Sequence, residues 1–236
     1  MFCYQCEQTA GGTGCTTVGV CGKDAQTSDL QDLLVYLAKA VAMYGHRARQ
    51  LGAKDEAIDR YVVEALFSTV TNVNFDADRL EAIVRQGAEV IAAAKALYEK
   101  ACADQGQSPE AIAALENWQV PQTREAMQTE AQVVGITKKL AELGPDINGL
   151  QELITYGIKG TAAYMDHALV LGKTDESVMA FFHEALNFLT TEQARDVNAL
   201  VAMALRAGEV NLTVMGLLDE ANTSTYGHPE PTVVRV

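Results

Sequence analysis

Leu30-Gln31-Asp32-Leu33-Leu34-Val35-Tyr36-Leu37-Ala38-Lys39 returns 120 residues later as Leu150-Gln151-Glu152-Leu153-Ile154-Thr155-Tyr156-Gly157-Ile158-Lys159. The register continues without a gap, so that Leu30–Ala101 lies over Leu150–Ala221 with 23 of 72 positions identical. Among the identities are Tyr44/Tyr164, Leu51-Gly52/Leu171-Gly172, Asp55-Glu56/Asp175-Glu176 and Glu64-Ala65-Leu66/Glu184-Ala185-Leu186. Chance does not give this level of identity, even in an Ala-rich chain. The sequence therefore predicts a duplicated unit. Two copies make a pair of bundles, because a solenoid needs at least three repeats.

Each copy carries helix punctuation. Ser28-x-x-Gln31 reads as a capping box for a helix running to Leu51, with Gly52 as its left-handed stop. Asp55-Glu56 places negative charge at the next helix start, where the dipole favours it. Ile58, Tyr61, Val62, Ala65, Leu66 and Thr69 follow at three-four spacing. Asp76 opens a third segment, which Gly87-Ala88 is expected to interrupt before Val90–Ala101. The second copy repeats these signals at Gly172, Asp175-Glu176, Asp196 and Gly208.

Between the copies, Ser108-Pro109-Glu110 reads as a helix start, Trp118–Pro121 as a turn, and Thr123–Leu143 as helix ended by Gly144-Pro145-Asp146. Trp118 reads as a packing plug for this connector. Beyond Thr223 the composition changes. Tyr226-Gly227-His228-Pro229-Glu230-Pro231 cannot be helical, and Thr232–Val236 reads as a strand, which needs a partner and suggests a lead into further chain. The expected fold class is all-α. It divides into a cysteine loop over 1–29, repeats over 30–101 and 150–221, a connector over 102–149 and an extended tail over 222–236, with 1–236 together one helical domain.

Composition narrows the function classes. Lys plus Arg number 18 against 31 Asp plus Glu, a formal charge of −13. That argues against a nucleic-acid partner and against an anionic membrane surface. Apolar stretches such as Leu33–Gly45 are broken by charges like Lys39, and no signal-peptide pattern is present, so no membrane span and a cytoplasmic location are expected.

Cys3, Cys6, Cys15 and Cys21 fall within 21 residues, and Cys102 stands alone. In an acidic cytoplasmic chain a cluster of four thiols reads as a metal site before it reads as two disulfides. Only Cys3-x2-Cys6 is a short knuckle, whereas structural zinc usually takes two. Gly11, Gly12, Gly14, Gly19 and Gly22 let the loop wrap a centre and bring amide N–H groups towards sulfur, which suits an iron–sulfur cluster. Zinc and disulfides stay open as alternatives, and spacing alone does not fix the cluster type. Phe2 and Tyr4 flank Cys3 and are expected to shield the cluster from water.

The amino end, Met1-Phe2-Cys3-Tyr4-Gln5-Cys6-Glu7-Gln8-Thr9-Ala10 with Gly14-Cys15-Thr16 and Gly19-Val20-Cys21-Gly22-Lys23, resembles the hybrid cluster proteins, also called hydroxylamine reductases. Leu30–Leu34, Glu64-Ala65-Leu66-Phe67, Leu218–Thr223 and Thr225-Tyr226-Gly227-His228-Pro229 are similar as well, so the resemblance spans the chain. The cysteine spacing resembles the subgroup carrying [4Fe–4S], and implies that Cys3, Cys6, Cys15 and Cys21 ligate it. The resemblance also implies a chain more than twice this length, whose further domains hold a hybrid iron–sulfur–oxygen cluster. There hydroxylamine is reduced to ammonia, and nitric oxide reduction is also proposed. No catalytic residue carries over to this chain, so its own status as an enzyme stays open. The partners implied are an electron-donor protein and those further domains; assembly into a homo-oligomer stays open. The contrasting reading is a helical docking module with a structural four-cysteine metal site.

Other candidates are weaker. His46, His167, His183 and His228 are scattered, with no Glu-x-x-His or His-Glu-x-x-His motif, and read as structural or exposed, His228 being the one open as an interdomain contact. Cys102 reads as a small buried hydrophobe. Tyr36/Tyr156 and Tyr44/Tyr164 read as core packing with a hydroxyl at the rim. No Gly-x-Gly-x-x-Gly motif or phosphate loop suggests a nucleotide.

Overall fold

A computed structural model describes residue 3 and residues 5–234. The expected all-α class is what it shows: seven helices and three short 3-10 turns, with a single isolated bridge between Cys3 and Cys15 among the described residues. The helices are α1 (Ala25–Gln50), α2 (Glu56–Ser68), α3 (Ala77–Asp104), α4 (Arg124–Val134), α5 (Ile136–Val170), α6 (Glu176–Phe188) and α7 (Val197–Tyr226).

Aspartates start the helices. Asp55 accepts from the Ala57 and Ile58 N–H groups at 2.8 and 3.1 Å, and Asp175 from Ser177 and Val178 at the same two distances. Asp76 and Asp196 cap α3 and α7 in the same way. Each carboxylate satisfies N–H groups that have no partner inside the helix. The stops also recur. Gly52 and Gly172 take φ of 81° and 75°, and the next residue's N–H reaches back to Ala48 and Ala168 respectively, both at 2.9 Å.

Several local expectations are corrected. The Ser28–Gln31 capping box does not form; α1 begins three residues earlier, where the Asp24 carboxylate accepts from the Thr27 N–H at 2.7 Å. Gly87 does not interrupt α3. It sits under the Tyr61 hydroxyl, where a Cβ would come within 2.4 Å of that oxygen, so its role is close helix approach. No helix starts at Ser108, where the connector forms only a 3-10 turn at Ala113–Leu115. The helix expected over Thr123–Leu143 breaks at Gly135. At Gly144 the chain kinks with φ of 77° and resumes at once through Pro145, whose fixed φ suits a first turn. The tail is no strand: α7 runs to Tyr226, Gly227 stops it with φ of 80°, and residues 227–234 pair with nothing.

The three-helix units are not separate bodies. α1 packs along α3 and α5 along α7, but α6 lies mainly against α1, and α2 mainly against α5. This exchange merges both halves into one main core, which includes Leu33, Leu37, Val41, Leu66, Ile158, Phe181 and Phe182. A smaller cluster of Ile154, Leu189, Ala194 and Leu200 sits beside it. Buried residues mark matching seams on the two third helices: Leu80, Gly87, Ala94 and Ala101 on α3, and Leu200, Ala207, Val214 and Ala221 on α7. A seven-residue spacing keeps one narrow stripe of helix facing its neighbour.

α7 corrects the expectation of no span in one respect. It is long and apolar enough to cross a membrane by length and composition, and little of it is buried inside the molecule. Leu205 and Leu212 are 67% and 69% exposed.

Candidate metal centre

The loop that precedes α1 carries the four clustered cysteines. Its backbone is held by short bonds: the Cys15 N–H to the Cys3 carbonyl at 3.4 Å, Thr9 N–H to the Cys6 carbonyl at 3.0 Å, and Gly19 N–H to the Lys23 carbonyl at 2.7 Å. Gly12, Gly14 and Gly22 take positive φ, the wrapping role expected of them. Gly19 has a second reason to be glycine, since a Cβ there would sit 2.8 Å from the Lys23 carbonyl oxygen. The Thr71 hydroxyl donates to the Gln5 carbonyl at 2.8 Å and ties the loop to the α2–α3 turn. At its inner end Lys23, 1% exposed, donates to Gln31 Oε1 at 2.6 Å and lies over the Phe75 ring.

All five cysteines are free thiols: Cys15 is buried, Cys3 and Cys6 are half-buried, and Cys21 is exposed. Cys3 and Cys15 are brought together by their backbone pairing. Cys21 stands at the outer end, and no three His, Cys, Asp or Glu side chains converge on one metal-sized centre among the described residues. The donor set therefore fits an iron–sulfur cluster in kind, as unoxidised thiols on one wrapped loop, while the four sulfurs are not gathered into a cage. Phe2 and Tyr4 lie outside the described residues. Cys102 is 1% exposed within the main core.

Beneath the loop is a cavity of about 740 Å³, walled by the loop, α1, the α4–α5 junction and α5. Its charged groups are Asp32 and Lys39 from α1, Lys139, Glu152 and Lys159 from α5, and Glu7 from the loop. Lys139 is paired with Glu152 at 2.5 Å. Burial pushes Lys39 down to about 7 and Lys159 down to about 8, and desolvation at the wall pushes Asp32 up to about 7. For Glu152, burial works against the carboxylate, but Lys139 and Lys39 outweigh it and hold its pKa below the usual range. Residue-by-residue reading missed this array, although its signal was present. Tyr36/Tyr156 and Lys39/Lys159 recur at the 120-residue offset, and Asp32/Glu152 is the acidic pair beside them.

The other candidates separate clearly. Trp118 packs edge-on against Tyr36 with ring centroids 5.0 Å apart and donates from Nε1 to Glu130 at 2.8 Å, the plug role expected of it. The tyrosine expectation holds only in the first copy: Tyr44 is buried and Tyr36 half-buried under the connector, whereas Tyr156 and Tyr164 are 52% and 38% exposed. His183 is structural. It is 1% exposed and bonds through Nε2 to Asp59 at 2.8 Å. Asp59 also accepts from Arg49 at 2.5 Å, and Arg49 reaches on to Glu176.

Comparison with known proteins places these features. The chain is 49% identical over 234 residues to a hydroxylamine reductase of Rhodospirillum rubrum, covering 99% of this chain and 42% of that protein. It is 43% identical over 236 residues to a hydroxylamine reductase of Geobacter metallireducens, and 42% identical to that of Geobacter sulfurreducens. In both cases 99% of this chain aligns with 42% of the relative, so the chain spans about two fifths of the length of these proteins. A family model described as Prismane/CO dehydrogenase matches residues 1–236, and the chain belongs to that family.

Proposed function

We propose that this chain is the iron–sulfur electron-transfer part of a hydroxylamine reductase-type oxidoreductase. In this reading Cys3, Cys6, Cys15 and Cys21 hold a [4Fe–4S] cluster. The observation that carries it is the confinement of four free thiols to one wrapped loop, tied at Cys3–Cys15, in a chain so similar throughout to hydroxylamine reductases. When bound, such a cluster supplies one-electron exchange at a potential set by its surroundings. The chain's residues do the rest. Glycines at 12, 14 and 22 let the loop wrap. Cys15 is screened from water, and the exposed Cys21 end offers a short route for electrons from a donor protein in the cytoplasm. Lys23, buried behind the loop, places a fixed cation on its inner side.

Reducing hydroxylamine to ammonia and water takes two electrons and two protons, at a centre with an open coordination position. Four cysteine ligands leave none, so in this reading the reduction belongs to the hybrid cluster in the family's further domains. Cys3→Ser, Cys6→Ser, Cys15→Ser and Cys21→Ser are each expected to lose iron and sulfide, with loss of the broad absorption near 400 nm, while Cys102→Ser keeps both. Normal iron in Cys15→Ser, or a colourless zinc protein, overturns the assignment. Residues 1–236 alone are expected to be reduced and reoxidised without forming ammonia from hydroxylamine; turnover close to that of a longer chain overturns the division of labour.

A further inference from the structure

The cavity beneath the loop is built by the two repeats facing each other. Asp32, Tyr36 and Lys39 stand on its α1 wall, and Glu152, Tyr156 and Lys159, the same positions shifted by 120, stand on its α5 wall. Two of its lysines are unusual. Lys39 and Lys159 are 7% and 5% exposed, yet among the described residues neither donates a hydrogen bond nor lies within 4 Å of a carboxylate. Of the neighbouring acids, Glu152 is taken by Lys139, and Asp32 acts on both lysines only from beyond ion-pair distance. Their stems are buried while the ammonium groups open into the cavity, where an acceptor can reach them. Two amide oxygens at the cavity, Gln5 Oε1 from the loop and Asn148 Oδ1 from α5, are buried without a partner.

The rest of the wall is aliphatic, formed by Val35, Val134, Ile136, Leu140, Pro145 and Leu153. A concave, largely apolar site of this volume with a few convergent charges is the usual form of a small-molecule site. Three ammonium groups, Lys39, Lys139 and Lys159, share the cavity with three carboxylates, Glu7, Asp32 and Glu152, and of the three lysines only Lys139 is ion-paired within 4 Å. We infer that this cavity binds a small organic carboxylate, its headgroup between Lys39 and Lys159 and its hydrocarbon body against the aliphatic wall. A carboxylate gives both ammonium groups an acceptor, in charge-assisted bonds stronger than neutral ones. Water carried with the headgroup gives the two amide oxygens a donor. No guanidinium lines the cavity; the amino end of α5 at Gly135 and Ile136, which has no side-chain cap, does, and its dipole favours an anion there. Cys6 also lines the cavity, so iron content is followed in every variant to separate an effect on binding from an effect on the cysteine loop.

The test is calorimetric titration of the whole chain with octanoate, and with octanol and octyl phosphate as contrasting probes. Octanoate is expected to bind one per chain with a Kd on the order of 100 µM. Lys39→Met and Lys159→Met are each expected to weaken it roughly tenfold or more, and octanol to bind at least about tenfold more weakly. Gly149→Leu gives a check that does not disturb the charges. Gly149 lines the cavity within α5, a Cβ there meets nothing within 4 Å, and leucine suits a helix better than glycine. That variant is expected to fold, as read by helical circular dichroism, to keep its iron content, and to lose octanoate binding. Unsaturable binding, equal affinity for octanol, tighter binding of octyl phosphate, or full octanoate affinity in Gly149→Leu overturns the inference.

Discussion

The two halves share helix order, aspartate caps and a seven-residue seam, yet they solve the problem of their outer surfaces differently. In the first half α3 presents Arg85 and Lys95 outward and pairs Glu81 with Arg124, and the connector lays Ile112, Leu115 and Val120 into the core beside it. In the second half the same positions on α7 are Val201, Leu205 and Met215, all exposed, with no connector to cover the half. The joint between the halves is lopsided too. On one side Arg49, Asp59 and His183 form a buried polar chain; at the 120-residue offset their counterparts are Leu169, Met179 and Val63. The two halves thus carry a buried polar chain on one side of their joint and apolar packing on the other. Backbone geometry survives this divergence because the caps and the seam suffice to place each helix.

The polar side of the joint is where the comparison breaks most sharply. Asp59→Ala leaves the His183 Nε2 and the Arg49 guanidinium facing a buried gap and is expected to cost about 3–5 kcal/mol in denaturant unfolding. Met179→Ala at the equivalent position removes only apolar contact and is expected to cost less, about 2–3 kcal/mol. The polar joint also carries a pH signature. Burial works against the Asp59 carboxylate, but the hydrogen bonds from His183 and Arg49 outweigh it and hold its pKa below the usual range. A depressed folded-state pKa contributes stability that is complete above the unfolded value near 4 and is lost as pH falls through the folded value. The acid limb of stability below about pH 4 is therefore expected to be shallower in Asp59→Ala than in the parent chain. Equal acid limbs would remove Asp59 from the account.

A smaller effect tests the connector. Trp118 closes the first half by packing on Tyr36, and the second half has nothing equivalent over Tyr156. Trp118→Ala is expected to lower stability by about 2–3 kcal/mol, below the cost for a fully buried aromatic because Trp118 is only half-buried. Tyr156→Ala is expected to change stability by less than about 1 kcal/mol. Comparable losses from both substitutions would mean that the connector does not distinguish the halves.

Those contrasts also explain what could be read from the sequence. The helix order and the aspartate starts were legible because a carboxylate cap is a local interaction that leaves a local sign. Gly87 misled because its reason is not local: the Tyr61 hydroxyl arrives from α2, 26 residues away in sequence, and nothing next to Gly87 announces it. Ser28 and Gln31 misled in the opposite way, as a good local motif in which tertiary packing claimed the Gln31 amide. Gln31 turned inward to bond the Asn74 carbonyl, as Gln151 bonds that of Ala194. The run of four thiols and its glycines stands in the sequence, but the charged cavity below it was not legible there. Lys39 and Lys159 were visible as a repeated pair, yet a lysine at helical spacing among leucines gives no sign of whether its ammonium group reaches water or a shared cavity.

The exposed face of α7 gives the smallest expected effect and isolates the seam from the surface. Leu205 and Leu212 are more than two-thirds exposed, so folding withdraws little of their area from water, and area withdrawn sets the hydrophobic contribution. Replacing them by the residues of the first copy, Leu205→Arg and Leu212→Ala, is expected to change thermal stability by no more than about 0.5 kcal/mol each. Arginine and alanine are also good helix formers, so no propensity cost is added. On the same helix Val214 is fully buried in the seam, and Val214→Ala is expected to cost about 2 kcal/mol, because a cavity opens where α7 meets its neighbours. Stability is thus expected to follow the seven-residue stripe and to ignore the faces beside it, even though both carry apolar residues. A large loss from Leu205→Arg in a chain that stays monomeric would show that this face packs within the molecule, and that the seam alone does not hold α7.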